Sequence, residues 1–338
     1  MPQIFPKLSA QTLPWPVNWP DVFGTPDDAR PLILEIGFGM GHYLHHLAAR
    51  YPDAHIVGLE IALMCIVKAE KALARGELPN VRVVFGRAET ALNHLFTPES
   101  LDQVHINFPD PWFKARHSRR RLMQRDTLDA LVNRLKPGGR LLLATDIRDY
   151  ADMSAELLAA TPALRNLNPT PWTHEVDGRT VTKYERRALE EGRVCHYFAY
   201  ERRADVPAPD VPVLTEKPMP HLVIHLPLNP AEILAKFQPH EIGVDGLAVN
   251  YIFAFHGDRS LLFEVYVHEP TIEQRSGLML TQHDHDPQRW TLRLSAMGSP
   301  RPTEGMHLAV RHLGEWLLGL HPDAHLIREK LKADSAQT

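Results

Sequence analysis

Residues 31–41 read Pro-Leu-Ile-Leu-Glu-Ile-Gly-Phe-Gly-Met-Gly, a short apolar run that ends in an acid and three alternating glycines. An apolar run of this length, bounded by glycines, is typical of a buried strand. Residues 41–50 then follow with the pattern of a helix. Glycines at alternate positions allow close backbone approach to a ligand, and a helix beginning after them presents free N–H groups. The stretch predicts a strand, a ligand-binding loop and a helix.

The strand pattern recurs along the first half of the chain. Helical patterns separate the strands, and the helix that follows the second strand extends to about residue 75. Strands that alternate with helices predict a parallel sheet covered on both faces, with ligands bound at the carboxyl ends of the strands. The further predicted strands are 55–60, 81–85, 104–108 and, after a turn at 136–139, 140–146.

Length and composition exclude several protein classes. The chain has 338 residues, 44% of them hydrophobic and 23% charged, which is ordinary for a globular protein with room for two domains. No apolar run approaches the roughly 20 residues of a membrane span. Residues 1–20 lack the apolar core of a secretory signal. The two cysteines, Cys65 and Cys195, form no paired framework, so we expect a cytoplasmic protein without membrane contact.

Charge and proline content divide the chain. The net charge is −4, but residues 1–204 carry +2 and residues 205–338 carry −6. Residues 204–220 are rich in proline, which favours an extended spacer. The predicted organisation is an N-terminal extension (1–30), a first domain (31–204), a linker (205–220) and an accessory domain (221–332).

Residues 107–121 read Asn-Phe-Pro-Asp-Pro-Trp-Phe-Lys-Ala-Arg-His-Ser-Arg-Arg-Arg. Pro109 and Pro111 restrict the backbone on either side of Asp110, so its carboxylate is expected on a rigid loop. Trp112 offers a flat face for packing on a base or for bracing the loop. Arginine forks bind phosphate oxygens in pairs. A basic run alone is more often a solvated helix face, but its attachment to a rigid acidic loop indicates a nucleic-acid site.

These motifs together resemble a known family. The glycine loop does not match the dinucleotide fingerprint, because His42 stands where that fingerprint needs a small residue. With Glu35 just before the glycines and Glu60 at the end of the next strand, the loop is similar to that of class I S-adenosylmethionine-dependent methyltransferases. With the 107–121 loop, residues 145–146 and residues 182–185, the chain resembles the bacterial tRNA (guanine-N7)-methyltransferases over about residues 32–203. The resemblance implies a Rossmann-like α/β fold, S-adenosylmethionine as cofactor and methylation of a guanine in the tRNA variable loop, guanine 46 in the family.

The resemblance and the basic run together predict residues for four roles. The catalytic residue is Asp110. The cofactor-binding residues are Glu35, Gly37, Gly39, Gly41, Glu60, Arg87, Ala88, Asn107 and Asp110. The substrate-binding residues are Lys114, Asp146, Thr182, Lys183, Tyr184 and Glu185. The tRNA-binding residues are Arg116, His117, Arg119, Arg120 and Arg121.

The expected chemistry suits these residue types. Guanine N7 has a free lone pair at neutral pH, so the main task is to hold N7 in line with the methyl donor. A carboxylate such as Asp110 or Asp146 can stabilise the positive charge that develops on the purine, and either could equally bond the guanine N1–H and N2 groups. We hypothesise that Asp110 positions and stabilises the base, while Asp146 and Glu185 contact its edge.

One departure from the family opens an alternative. Arg87-Ala88 stand where the family usually has Asp-Ala, with the Asp beside the adenine. An arginine cannot accept the adenine amino hydrogens. Either Glu89 or backbone carbonyls replace that contact, or cofactor affinity is lower. The alternative function is a redirected paralogue with another substrate, or a non-catalytic RNA-binding or regulatory protein acting through its C-terminal domain.

The accessory domain is predicted as a smaller α+β domain with an antiparallel sheet and helices on one face. Residues 283–286 read His-Asp-His-Asp in a hairpin loop, but no third ligand cluster accompanies them and no metal is predicted. Dimerisation, binding of a protein partner, or selection of the RNA are its candidate roles. The predicted strands are 221–226, 247–255, 261–268, 277–281 and 290–295, and the predicted helices are 230–237 and 305–320.

Overall fold

The computed structural model describes residues 8–26, 29–112, 116 and 120–330. The chain divides into two compact units, residues 1–212 and residues 213–338. Within the described ranges, no helix is both long and apolar enough to cross a membrane.

The first unit contains a mixed sheet that carries the predicted parallel strands. In the part of the chain described, its strands are β1 (Leu32–Ile36), β2 (His55–Glu60), β3 (Val81–Phe85), β4 (Leu101–Asn107), β5 (Leu135–Thr145), β6 (Leu164–Asn166) and β7 (His196–Arg202). Their order is β3-β2-β1-β4-β5-β7-β6. Strands β1 to β5 are parallel, and β7 is antiparallel to both β5 and β6. The order reverses between β1 and β4, and ligands bind at such a switch point.

The sequence pattern predicts β1 to β5 but not the last two strands. The sheet is therefore mixed rather than wholly parallel. Strand β6 has only three residues, which is too short for a periodic signal. Residues 136–139, predicted as a turn before the strand, instead form a bulge inside β5, because Leu101 pairs with Leu135 while Gln103 pairs with Arg140.

Helices cover both faces of this sheet. On one face, Ile33 of β1 packs in a buried cluster with Leu44 and Ile66, while Leu34 packs in the opposite cluster with Leu92. All five residues of β1 are buried, as expected for a central parallel strand. The helices are α1 (Trp19–Phe23), α2 (His42–Arg50), α3 (Leu63–Ala74), α4 (Ala88–His94), α5 (Arg125–Arg134), α6 (Arg148–Ala159) and α7 (Lys183–Glu190).

Residues 8–26 pack against the β3 side of the first unit. The Ala10 N–H donates to the Phe85 carbonyl at 2.9 Å. A Cβ on Gly86 would lie 2.6 Å from the Ala10 Cβ, so only glycine allows this approach. Because Trp19 and Phe23 are also buried in the core, this segment is an integral part of the unit.

The second unit is the predicted α+β fold with an antiparallel sheet. Its described elements are β8 (His221–His225), α8 (Pro230–Lys236), β9 (His240–Val244), β10 (Leu247–His256), β11 (Ser260–Glu269), β12 (Ile272–His283), β13 (Asp286–Leu294), α9 (Glu304–Leu318) and β14 (His325–Lys330). The sheet order is β14-β8-β13-β12-β11-β10-β9. Both helices pack on one face of the sheet, through Ile233 of α8 and Val310 and Leu313 of α9. The edge strands β9 and β14 escape prediction because residues 325–329 of β14 are all exposed, while β9 alternates only weakly, between half-buried and exposed residues.

The His-Asp-His-Asp segment lies at the predicted hairpin between β12 and β13. Asp284 pairs with Arg259 at 2.8 Å. Among the described residues, no three His, Cys, Asp or Glu side chains are arranged to hold a metal ion.

Candidate active site

The glycine loop joins β1 to α2 and forms an open cradle. Gly37, Gly39 and Gly41 have φ angles of 74°, 54° and 82°, in the left-handed region that favours glycine. No heavy atom beyond the chain neighbours lies within 4 Å of where a Cβ on Gly37 or Gly41 would stand. Gly41 is also the N-cap of α2. The backbone is therefore accessible at the point where the helix begins.

Glu60 fixes this loop. One carboxylate oxygen accepts from the Gly39 N–H at 2.9 Å, and the other accepts from the N–H groups of Ile61 and Ala62 at 2.8 and 2.9 Å. The side chain is only 9% exposed, so it is not a solvated strand end. Glu60 thus ties the glycine loop to the segment that begins α3.

Glu35 is a buried carboxyl group at the end of β1, 1% exposed. Its Oε1 accepts from the Asn107 side-chain amide at 3.2 Å, while its Oε2 has no hydrogen-bond partner among the described residues. Burial raises the pKa of Glu35 to about 8. A buried polar atom without a partner is costly, so this oxygen is suited to accept a hydrogen bond from a ligand.

Arg179 connects Asn107, a predicted cofactor residue, to Glu185, a predicted substrate residue. Its guanidinium donates to Asn107 Oδ1 at 2.7 Å and to Glu185 Oε2 at 3.4 Å. It also lies 4.7 Å from the centre of the Tyr43 ring and 5.2 Å from that of Tyr197. Because Arg179 binds the amide oxygen of Asn107, the amide nitrogen must face Glu35. Arg179 is absent from the predicted residues, and no local motif marks it.

Residues 182–185 form a capping box that begins α7. The Glu185 N–H donates to Thr182 Oγ1 and the Thr182 N–H donates to Glu185 Oε2, both at 3.1 Å. Tyr197 donates to the other Glu185 oxygen at 2.6 Å, and Glu185 is 3% exposed. The Thr-x-x-Glu spacing is itself a sequence signal for this cap. Lys183 and Tyr184 are exposed.

Helix α7 lies beside the glycine loop. The Tyr184 ring comes within 3.7 Å of where a Cβ on Gly39 would stand. Two further contacts join the segment before α7 to α2: Thr180 to His46 at 2.9 Å, and Arg50 to the Gly178 carbonyl at 3.3 Å. The predicted cofactor loop and the exposed residues of α7 therefore share one end of the sheet.

Asp110 lies on an exposed, braced loop after β4. Phe108 and Trp112 on either side of it have φ angles of 51° and 42°, an uncommon region for residues other than glycine. Arg121 donates to the carbonyls of Pro111 at 3.0 Å and Trp112 at 3.3 Å. Within the described ranges, the Asp110 carboxylate makes no hydrogen bond or ion pair. The loop therefore presents a carboxylate that is free to meet a substrate.

The basic run is only partly covered by the structure. Lys114, His117 and Arg119 lie outside the described residues. Arg116 and Arg120 are exposed, and the Arg120 guanidinium lies 5.1 Å from the centre of the Trp112 ring. The guanidinium of Arg121, by contrast, faces the loop carbonyls.

Asp146 follows β5 and differs from Asp110 in its surroundings. Its side chain is 11% exposed and forms an ion pair with Arg193, which also contacts Glu191 at 2.6 Å. Arg193 is a second residue that the sequence pattern does not indicate. The negative charge of Asp146 is already balanced by Arg193, whereas Asp110 forms no ion pair with any described residue.

Arg87 and Ala88 lie where β3 leads into α4. Arg87 is the N-cap residue of α4, and its Nε lies 3.5 Å from Glu89 Oε2. Ala88 is buried. Since Glu89 stands in the first turn of the same helix, a carboxylate acceptor remains beside the position where the family usually has an aspartate.

The residues of this site can be compared with known proteins. Residues 29–197 match the family described as "Putative methyltransferase". A tRNA (guanine-N(7)-)-methyltransferase from Burkholderia ambifaria is 41% identical over 187 residues, 55% of this chain and 72% of the relative. The one from Burkholderia vietnamiensis is 42% identical over 195 residues, 58% of this chain and 74% of the relative. The structure of the 16S rRNA methyltransferase KamB aligns with a TM-score of 0.40 and 18% identity, covering 59% of this chain and 100% of that one. By its sequence matches, this chain belongs to the tRNA (guanine-N7)-methyltransferase family.

Proposed function

We propose that this protein transfers the methyl group of S-adenosylmethionine to N7 of a guanine in the variable loop of tRNA, at the position that corresponds to guanine 46. Family membership supports the reaction class. The observation that carries the residue assignment is the free Asp110 carboxylate on its braced loop, at the same sheet edge as Glu35 and Asn107. We also propose a cytoplasmic location, since tRNA is processed there in bacteria.

The site residues fit the methyl donor. The open cradle at Gly37 and Gly41 accommodates the close approach of a ligand. The unpartnered Glu35 Oε2 supplies an acceptor for a charged amino group, and Glu60 keeps the loop in place. S-adenosylmethionine, when bound, supplies a methyl group on a positively charged sulfur.

The protein's own task is to position the base and to stabilise charge. The lone pair of guanine N7 attacks without a general base, so holding it in line is the main contribution. Asp110 stabilises the positive charge that develops on the purine, because its carboxylate has no competing cation among the described residues. Asp146, oriented by Arg193, contacts the base edge. Lys183 and Tyr184 line the substrate side, while Thr182 and Glu185 fix the start of their helix.

The RNA backbone is bound by the basic run. Arg116 and Arg120 are exposed and able to pair with phosphates. We assign His117 and Arg119 to the same role, and Lys114 to binding of the substrate guanine. Arg121 contributes by bracing the loop that carries Asp110. We assign residues 205–220 to a linker and residues 221–332 to an accessory domain. Dimerisation and binding of a protein partner are alternative roles for this accessory domain.

The test is methyl transfer from labelled S-adenosylmethionine to unmodified bulk tRNA, followed by borohydride and aniline cleavage at 7-methylguanine. We expect cleavage at the variable loop. Cofactor binding without any methyl transfer to tRNA would contradict the proposal and indicate a paralogue redirected to another substrate. The unusual Arg87 makes measurement of cofactor affinity a necessary part of this experiment.

A further inference from the structure

The sheet of the second unit has one face without helices in the described residues. Both α8 and α9 pack on the opposite face, where Leu222 and Ile224 of β8 and Trp290 and Leu292 of β13 are buried. Side chains alternate along a strand, so the neighbours of these residues lie on the open face. On β8, β13 and β14, the open face carries His221, Val223, His225, Arg289, Thr291, Arg293, His325 and Arg328.

Strand pairing brings the basic members of this set together. Arg289 is in register with His225, which is in register with His325, and the two imidazole rings lie 4.8 Å apart. Arg293 is in register with His221. On the next strand, Arg328 is in register with Val223. We call the six residues His221, His225, Arg289, Arg293, His325 and Arg328 the basic face.

Carboxylates are missing from the open-face positions of these three strands. Glu329 is in register with Leu222, which faces the helices. Asp286 lies beyond the register shift that ends the regular pairing of β13, and its carboxylate accepts from the Gln288 N–H at 3.1 Å. From the strand spacing, the basic face spans roughly 13 Å along β13 and roughly 10 Å across three strands. It is a concentrated positive surface in a unit whose net charge is negative.

Among the described residues, the arginines of the basic face have no acidic partner, and the same holds for Lys236 and Arg311. Elsewhere in the unit, four cations pair with carboxylates: Lys217, Arg259, Arg275 and Arg301. Arg289, Arg293 and Arg328 form no ion pair among the described residues, and the buried Nε of Arg289 has no acceptor. Unbalanced like charges repel one another, and an anionic partner relieves that repulsion.

We propose that the basic face binds the phosphate backbone of the tRNA substrate. This inference rests on the proposed function for the identity of the RNA. Arginine forks and imidazole N–H groups on a flat sheet match phosphate oxygens, and their spread suits several contacts along a backbone. The core of a protein interface is typically depleted of charge and enriched in apolar side chains, and the one aliphatic residue in this set, Val223, is buried. The second unit thereby contributes RNA contacts of its own, in addition to those of the family fold.

The test uses the full chain with Arg289, Arg293 and Arg328 all replaced by glutamine. The matched control replaces Lys236, Arg275 and Arg311 by glutamine. This control removes the same amount of positive charge from positions outside the basic face. Filter binding of an unmodified tRNA transcript is measured without methyl donor, from about 50 to 200 mM salt. We expect the triple variant to lose about tenfold in affinity and its salt dependence to fall by about 2 to 3 units of slope, with the control within about twofold of wild type.

Equal affinity and slope in the triple variant and wild type would overturn the proposal, as would a change confined to oligomeric state in size-exclusion chromatography. The single variant Arg293→Gln, at an exposed position, gives a slope change of about 1 if the triple variant does not fold. Binding and methylation are read separately, so the two proposals fail separately. Loss of tRNA affinity in the triple variant, with no 7-methylguanine formed by wild type, would retain the basic face and reject the proposed function. Unchanged tRNA affinity in the triple variant, with normal methylation by wild type, would reject the basic face as an RNA-binding surface and retain the proposed function.

Discussion

Two parts of the active site hold their polar groups in opposite ways. Glu35, Asn107, Arg179 and Glu185 form a largely buried network, in which Glu35 and Arg179 both bond to Asn107 although each lies 72 residues from it in sequence. Asp110 instead sits on an exposed loop that is shaped by its own neighbours and by Arg121. The network organises the site and also contributes to the fold, while the loop presents a chemical group that the fold does not need. Substitutions in the two parts should therefore separate activity from stability.

The largest effect is expected at the loop. Asp110→Ala removes the carboxylate that stabilises charge on the purine, and we expect turnover to fall by about 10² to 10³. Because Asp110 is exposed and bonds to no described residue, the midpoint of thermal unfolding should stay within about 2 °C of wild type. Methyl transfer and thermal unfolding measure the two quantities. Near-normal turnover would remove Asp110 from the proposed mechanism.

Arg179 should show the opposite pattern, with activity and stability lost together. Arg179→Met leaves Glu185 without its cation and the Asn107 amide oxygen without its donor, and breaking a buried ion pair costs about 3–5 kcal/mol of unfolding free energy. Loss of the Asn107 orientation should also raise the KM for S-adenosylmethionine more than it changes kcat. Arg179→Lys is the matched variant, because it keeps the charge but not the fork, and it should recover part of the stability. Cofactor affinity equal to wild type in Arg179→Met would disprove its positioning role.

The same contrast explains what the sequence could predict. Strands β2 and β3 match their predicted bounds, and Asp110 was identifiable because its loop chemistry is local: two prolines, an acid and arginines in one run. Arg179 could not be found in this way, since its partner Asn107 lies 72 residues away. The Thr-x-x-Glu spacing of residues 182–185 indicates a helix cap, whereas the family resemblance implies that the same residues bind the substrate. The edge strands β9 and β14 bury none of their described residues fully, so their sequences carry too weak a pattern to predict a strand.

Glu35 offers a pH-dependent test of the buried network. Its pKa in the folded protein is about 8 against an ordinary 4.5, so folding favours the protonated form. The stability associated with this proton is fully present below pH 4.5 and is lost as pH rises to about 8. Glu35→Gln cannot ionise, so at pH 9 its free energy of unfolding should exceed that of wild type by a few kcal/mol. The upper bound is on the order of 1.4 kcal/mol for each unit by which the folded and unfolded pKa values differ.

The same variant should lose affinity for S-adenosylmethionine, because the amide cannot give up a proton and become charged when the positive amino group of the cofactor binds beside it. Denaturant unfolding at pH 4, 6 and 9 and calorimetric titration of the cofactor check the two expectations. The control is Glu77→Gln, an exposed glutamate of the same unit, which should change neither profile appreciably. A parallel pH profile for Glu35→Gln and wild type would show that Glu35 is ionised in the folded protein at neutral pH.

The smallest effect is expected at the cap of α7, and the chain contains its own control. Thr182→Ala removes the acceptor of the Glu185 N–H and should cost about 1 kcal/mol, while Thr182→Ser keeps it. Asn229 and Glu232 form the same capping box at α8 in the second unit, with bonds of 3.0 and 2.8 Å. Asn229→Ala should therefore lose similar stability without changing methyl transfer. Because Thr182 orients the helix that carries Lys183 and Tyr184, only its alanine variant should also lower kcat/KM. Equal methyl transfer in both alanine variants would mean that α7 supports the fold but not the substrate.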